Sequence, residues 1–87
     1  MIRTSRDLEP HLDNLIDWAT RYVYEELVDM WGINSPQEFG EAVLRFIQTD
    51  AKEEFFEPAG VEVHCNIADI LTDDLMDEII TRAEAIF

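Results

Sequence analysis

The fold is decided by residues 35–57, which read SPQEFGEAVLRFIQTDAKEEFFE. Ser35 is a residue type favoured at the N-cap of a helix, Pro36 suits the first helical position, and Glu38 stands third within the helix. Apolar side chains then recur at helical spacing on one face: Phe39, Val43, Phe46, Ile47, Ala51 and Phe55. The stretch therefore predicts an amphipathic helix whose apolar face packs against the rest of the protein.

The segment that follows this helix is less regular. The helix runs to residue 57 or breaks near residues 49–50, and Pro58-Ala59-Gly60 ends it in either case. Residues 61–67 then alternate apolar and polar side chains, which is the period of a strand. No second strand is evident, so this segment pairs with residues 1–4, pairs across a dimer, or is an extended connector. We favour the connector.

A longer helix is predicted upstream, over roughly residues 8–31. Asp7 is a favourable N-cap, and Pro10 falls in the first turn, where its missing N–H group does no harm. Gly32 follows Trp31 and is the residue type that most often ends a helix. Between these two ends, apolar residues recur at helical spacing and form one broad face: Leu8, Leu12, Leu15, Ile16, Ala19, Tyr22, Val23, Leu27 and Met30.

The last predicted helix begins after Thr72, an N-cap residue type. Asp73 and Asp74 then fall in its first turn, where acids complement the helix dipole. Its apolar stripe consists of Leu75, Met76, Ile79, Ile80, Ala83 and Ile86. The sequence therefore predicts a mainly all-α protein: one helical domain over residues 1–87, a compact bundle of three to four helices with a short extended segment near residues 61–67.

The charge of the chain is strongly unbalanced. Its 87 residues include 20 Asp and Glu but only 6 Lys and Arg, which gives a formal net charge of −14. This exceeds the net charge of about 2–8 that keeps a small domain soluble. Three explanations remain open: halophilic adaptation, plain solubility, and a surface that presents negative charge to a basic partner. We favour the third.

The same charge limits the partners and the location. A surface of this sign repels nucleic acid and anionic membrane, so we expect direct contact with neither. The single cysteine cannot form an intramolecular disulfide, and there is no signal peptide or long apolar run. These features predict a soluble protein of the cytoplasm, the host cytoplasm if the chain is phage-encoded.

Residue patterns that carry catalysis are missing. His64 and Cys65 are neighbours on an extended segment, so their side chains point to opposite faces and cannot share a metal ion. His11 lies in the first turn of the first helix, where we expect it to be solvated. No calcium loop or Gly-rich phosphate loop is present. We therefore expect a protein that acts by binding, with no enzymatic activity, no cofactor and no metal site.

The acids form rows on the predicted helices. Seven of them, at four-residue spacings on the first and last helices, are predicted to stand in for phosphates: Glu9, Asp13, Asp17, Asp73, Asp74, Asp77 and Glu78. Neighbours in such a row lie about 5–6 Å apart. Rows side by side approximate DNA, in which each strand has one phosphate per about 3.4 Å. The predicted partner is therefore a basic nucleic-acid-binding protein, such as a nuclease or its complex.

A family resemblance points in the same direction. The first helix, with Leu12, Ile16, Ala19 and Val23, and the turn at residues 60–63 before an acidic helix resemble the small phage-encoded DNA mimics that inhibit restriction or CRISPR enzymes. The Ocr-type antirestriction proteins are the nearest group; they are short, very acidic, mainly helical and dimeric. This chain is shorter and lacks their dense acidic tail. The resemblance implies an inhibitor that occupies the nucleic-acid-binding surface of a host defence enzyme.

Four aromatic residues lie at the margins of the apolar faces or at helix ends: Trp18, Tyr24, Trp31 and Phe56. They either close the ends of the core or form a patch that binds a second copy or a protein partner. We expect a homodimer, which adds buried surface to a chain of this size. The alternative function is an adaptor, immunity or antitoxin-like protein that binds one partner through this patch.

Overall fold

The second helix, residues 36–56, is the element that every other helix contacts. A computed structural model describes all residues 1–87 and contains four helices, so the predicted all-α bundle is confirmed. The first helix covers residues 5–31, a short third helix covers Ile67–Ile70, and the last covers Asp73–Ile86. Twenty buried apolar residues from all four helices, the N-terminal segment and the connecting loops form one core. No helix is long and apolar enough to cross a membrane.

The second helix begins as its sequence predicts. The Ser35 hydroxyl accepts the backbone N–H of Glu38 at 3.2 Å, and Pro36 takes the first helical position. The Glu38 carboxylate accepts the N–H of Asn34, the residue before the N-cap, at 3.1 Å. The helix does not break near residues 49–50. It is an α-helix over Pro36–Ala51 and continues as a π-helical segment over Lys52–Phe56.

The first helix starts earlier than predicted, because the prediction of Asp7 as its N-cap is wrong. Thr4 is the N-cap, and its hydroxyl accepts the N–H of Asp7 at 3.4 Å. The Asp7 carboxylate in turn accepts the N–H groups of Arg3 and Thr4, at 3.0 and 3.2 Å. The bond from Arg3, and to a smaller extent that from Thr4, holds the pKa of Asp7 below its ordinary value of 3.8. Asp7 is thus the acidic partner of a capping box.

The first helix is not uniform along its length. It passes from an α-turn at Ser5–Leu8 through a 3-10 turn at Glu9–His11 to an α-helix at Leu12–Tyr22. A π-helical segment follows at Val23–Leu27, and Val28–Trp31 completes the helix. Gly32 then ends it in the left-handed conformation, with φ of 65°. The N–H of Ile33 closes the end on the carbonyl of Val28 at 2.9 Å.

The π-helical segments change which side chains face the core. Each holds an i→i+5 hydrogen bond and so turns the chain after it relative to an α-helix. In the first helix Val28 packs against the core, whereas Met30, predicted to be buried, is 75% exposed. In the second helix Phe56 is fully buried and Phe55 only half-buried. Phe56 is therefore a core residue, and its prediction as part of a surface patch is wrong.

Two further residues of the predicted apolar faces lie at the surface. Tyr22 is 43% exposed, because it sits at the edge of the first helix's apolar face and packs flat on Phe46, with ring centroids 4.8 Å apart. Ile86 is 56% exposed, because the last helix extends beyond the core at that point. Helical periodicity alone does not predict whether a residue at the edge of an apolar stripe is buried or exposed.

The extended segment is a connector that pairs once with the N-terminal residues. The N–H of Ile2 donates to the carbonyl of Glu62 at 2.8 Å, and the N–H of His64 donates to the carbonyl of Ile2 at 2.9 Å. This makes a single parallel bridge between Ile2 and Val63, and no strand forms. The segment is thus a connector, as we favoured, and it also pairs with residues 1–4, although through one bridge only. The helix at Ile67–Ile70 was not predicted.

The second and last helices lie close together at Gly40. A Cβ atom at this position would lie 2.9 Å from the Ile80 Cγ2 atom, 3.1 Å from the Ile80 carbonyl oxygen and 3.1 Å from the Glu84 Cγ atom. The Ile80 atoms belong to backbone or to a β-branched group, so they move little. The absence of a side chain at Gly40 therefore allows the two helices to pack this closely.

We expect Gly40→Ala to lower the free energy of unfolding by about 1 kcal/mol. The overpacking cost is about 1–3 kcal/mol, which exceeds the gain of about 0.8–1 kcal/mol in helix propensity. Urea denaturation measures the difference. Combined with Ile80→Ala, which removes the Cγ2 atom, the substitution should cost less than it does alone. A stabilised Gly40→Ala variant would show that the helices are not in tight contact there.

Candidate interaction surface

The carboxylates all lie at the surface. None of the twenty Asp and Glu side chains is buried; Asp7, Asp50 and Glu84 are half-buried, and the others are exposed. Thr20 is the one buried polar residue, and its hydroxyl donates to the carbonyl of Ile16 at 2.8 Å. Since burying an unpaired carboxylate is very costly, the core excludes the acids and the outer helix faces carry them. The surface is consequently the part of this protein with distinctive chemistry.

The row predicted on the first helix is partly neutralised. The Asp13 carboxylate accepts from the Arg82 guanidinium at 2.7 Å, and the Asp17 carboxylate accepts from Arg21 at 3.2 Å. Asp13, Asp17 and Arg21 are well exposed and Arg82 is half-buried, and such surface pairs contribute about 0–1 kcal/mol each. Glu9 is exposed and forms no ion pair. This row therefore presents less free negative charge than its sequence suggests.

The rows predicted on the last helix carry no ion pair. Asp73, Asp74, Asp77 and Glu78 are all exposed, and none has a basic partner. Thr72 caps this helix by accepting the N–H of Leu75 at 3.2 Å, which fixes the four acids on its first two turns. Two of them, Asp73 and Asp74, also complement the positive end of the helix dipole. We refer to these four residues as the acidic face of the last helix.

Arg82 joins the acidic rows of the two helices. It follows Asp74 and Glu78 at four-residue spacing, so it lies on the same side of the last helix. From there it reaches Asp13 on the first helix. The ring of Phe87, just past the end of the last helix, lies 6.3 Å from that of Tyr24, so the two helices run in the same direction. Asp13 therefore lies next to the row formed by Asp74 and Glu78.

The predicted aromatic residues do not form one patch. Half-buried Trp18 stacks on Phe46 with centroids 5.0 Å apart, between the first and second helices. Tyr24, 54% exposed, lies instead near Phe87 at the end of the last helix. Trp31 lines a third region, an open groove of about 420 Å³ that it shares with Ile33, Glu38, Glu41, Ala42 and Arg45.

Two surface features were missed by sequence reasoning. An apolar end is formed by Tyr24, Ile86 and Phe87, all exposed, with Tyr24 and Ile86 lining the same groove of about 270 Å³. Tyr22 lies next to Trp18, with ring centroids 6.4 Å apart. The four-residue spacing of Trp18 and Tyr22 was a signal for this second feature, whereas nothing in the sequence brings residue 87 to residue 24.

The histidines and the cysteine serve local structure. His11 is half-buried and packs edge-to-face on Phe56 at 5.5 Å, which corrects the prediction that it is solvated. The ring of His64 bonds the Glu62 carboxylate at 3.0 Å, and this bond and the charge of His64 lower the pKa of Glu62. The Cys65 thiol lies 3.8 Å from the carbonyl oxygen of Ile2. No group of three or more His, Cys, Asp and Glu side chains is arranged to hold a metal ion.

Comparison with protein-family models, with curated proteins and with solved structures gives no match to this chain. What the surface binds is therefore inferred from its own charges and shape. The acidic face of the last helix combines four like charges that repel one another with the absence of an ion pair to any base of the chain.

We expect salt to stabilise this protein. Raising NaCl from about 50 mM to about 500 mM shortens the range of the repulsion between exposed carboxylates. A gain of about 1 kcal/mol corresponds to a Tm increase of about 4–8 °C for a domain of this size. Thermal unfolding followed by circular dichroism measures it.

A matched pair of variants tests the cause. At low salt, Asp77→Asn relieves an unpaired acid and should raise the Tm, whereas Asp13→Asn removes the same charge together with the Arg82 ion pair and should raise it less or lower it. A Tm that does not respond to salt, or two variants with the same Tm, would argue against repulsion as the cause.

Proposed function

We propose that this protein is an acidic DNA mimic, an inhibitor that binds the basic nucleic-acid-binding surface of a host defence enzyme of the restriction or CRISPR type. The observation that carries the proposal is the acidic face of the last helix: four exposed carboxylates on two consecutive turns, none of them in an ion pair. Negative charge that forms no ion pair within the protein is accounted for by an external, basic partner.

The charge density of this face supports a comparison with DNA. Residues 73–78 advance about 7.5 Å along a helix axis, at about 1.5 Å per residue. Four carboxylates over this length give one charge per about 2 Å, close to the one per about 1.7 Å of duplex DNA. Glu9 and the partly neutralised Asp13 and Asp17 extend the negative surface onto the neighbouring helix.

Binding of this kind requires no chemical step. Lys and Arg side chains that normally contact phosphates would contact the carboxylates instead, and the inhibitor would compete with DNA for them. Complementary charge would make association fast and strongly dependent on salt. The helical scaffold holds the carboxylates in place before binding, since the acidic face stands on a capped helix that is packed against the core.

We expect the triple variant Asp73→Asn/Asp74→Asn/Asp77→Asn to lose at least about 100-fold in affinity for the partner, or about 2.7 kcal/mol. The partner is isolated by pull-down from host lysate at about 50 mM salt, and its binding is then measured at about 50 and 500 mM by competition with labelled duplex DNA. Thr72 still caps the helix in this variant, so circular dichroism should show an unchanged fold.

The matched control removes the same charge elsewhere. Glu25→Gln/Glu26→Gln/Asp29→Asn changes three exposed acids near the C-terminal end of the first helix, away from the acidic face. This variant should keep most of its affinity for the partner. DNA mimicry would be wrong if the partner bound equally well at both salt concentrations, or if both triple variants bound alike.

A second candidate function rests on the apolar end formed by Tyr24, Ile86 and Phe87. Exposed aromatic and aliphatic side chains that lie together are common anchors of protein interfaces. In a DNA mimic this end would join two copies into a homodimer, which is the assembly we propose. In an adaptor, immunity or antitoxin-like protein it would bind a different chain, and neutralising the acidic face would then leave affinity for that chain almost unchanged.

We expect Ile86→Asp to convert the proposed homodimer into a monomer, because it places a charge at the centre of the apolar end. Sedimentation equilibrium of the wild type and the variant gives both masses. The conservative Ile86→Val variant should remain dimeric. A wild-type protein that is monomeric at about 100 μM would contradict the homodimer and favour binding of a different protein at the apolar end.

A further inference from the structure

A small pocket lies between the first and second helices, on the side of the second helix that bears its C-terminal acids. Its volume is about 160 Å³, and it is lined by Trp18, Tyr22, Phe46, Asp50 and Glu54. Trp18 and Tyr22 are four residues apart on one helix, and the other three follow one another at four-residue spacing on the next. Each set therefore forms one row, and the pocket occupies the groove between the two rows.

Aromatic rings form one part of this pocket. The ring of Phe46 is stacked against both Trp18 and Tyr22, at centroid distances of 5.0 and 4.8 Å. The ring of Phe55 also packs against Trp18, with ring centroids 5.2 Å apart. These contacts hold the rings in place, while Tyr22 remains 43% exposed and Trp18 is half-buried. The pocket thus offers a fixed aromatic surface that solvent reaches.

Carboxylates form the other part. Asp50 is half-buried, Glu54 is exposed, and neither belongs to an ion pair. No Lys or Arg lines the pocket. The larger groove at Trp31 differs in this respect, because Arg45 lies among its carboxylates and Glu38 is already used as a helix cap. Of the pockets at Trp31, Tyr24 and Trp18, only the one at Trp18 brings aromatic rings and carboxylates together without a cation.

We propose that this pocket receives one basic side chain, a lysine or an arginine, of the partner protein. Aromatic rings attract ammonium and guanidinium groups and pack against their aliphatic stems, and the two carboxylates supply the opposite charge. The volume suits a single side chain, since pockets for small organic ligands measure about 300–1,000 Å³. The proposal rests on the proposed function for the basic character of the partner, and it adds a second contact away from the acidic face.

The test uses small probes and no partner protein. In a Trp31→Phe variant Trp18 is the only tryptophan, so its fluorescence reports on the pocket. We expect N-acetyl-lysine amide to change this fluorescence saturably, with a Kd on the order of 1–10 mM at about 150 mM NaCl. N-acetyl-norleucine amide has a similar stem without the ammonium group, and it should bind at least about 10-fold more weakly.

Two variants separate the pocket from net charge. Glu54→Gln should weaken binding of N-acetyl-lysine amide at least about 5-fold. Glu53→Gln removes the same charge from the neighbouring residue, which is exposed and does not line the pocket, and should leave binding unchanged. Equal binding of the two amides, equal loss in the two variants, or no saturable response would each overturn the proposal. None of these results depends on whether the acidic face of the last helix competes with DNA, so the two proposals fail separately.

Discussion

Twenty carboxylates that must remain in water, and only six basic side chains to pair with them, constrain the whole structure. A small chain buries its core by using one face of each helix, so the acids are confined to what is left. The result is a core in which Thr20 is the one polar residue, satisfied by its own helix, and an outer surface on which acid recurs on every long helix. The distinctive chemistry of the protein then lies on the outside, because the core holds apolar side chains and one satisfied hydroxyl.

Three structural features improve the apolar packing that opposes this repulsion. Gly40 lets the second and last helices approach until Ile80 would touch a Cβ atom there. The π-helical segments at Val23–Leu27 and Lys52–Phe56 rotate the helix ends so that Val28 and Phe56 turn toward the core. The bridge between Ile2 and Val63 brings Ile2 into the core, where it is 1% exposed. Each of them adds apolar packing without adding a charged group.

These features also mark what the sequence could and could not predict. The helices at the centre of the fold were predictable because Ser35, Thr72 and Gly32 carry local signals that act within a few residues. Phe56 and Met30 were misplaced because a π-helical turn breaks the 3.6-residue period, and tertiary packing decides where such a turn forms. The pairing of Asp13 with Arg82 was hidden for a related reason, since only the fold brings residues 69 positions apart together.

That ion pair changes the interpretation of the acidity. Counted along the chain, the rows on the first and last helices are equivalent; in the folded protein two acids of the first row have a base and no acid of the last helix's face has one. Folding thus makes two rows that are alike in sequence unequal in free charge. A requirement for solubility alone gives no reason for two of the six bases to pair with one row and for none to pair with the other. The proposed basic partner gives such a reason, and the pocket at Trp18, which no Lys or Arg lines, is the second place where we propose that it binds.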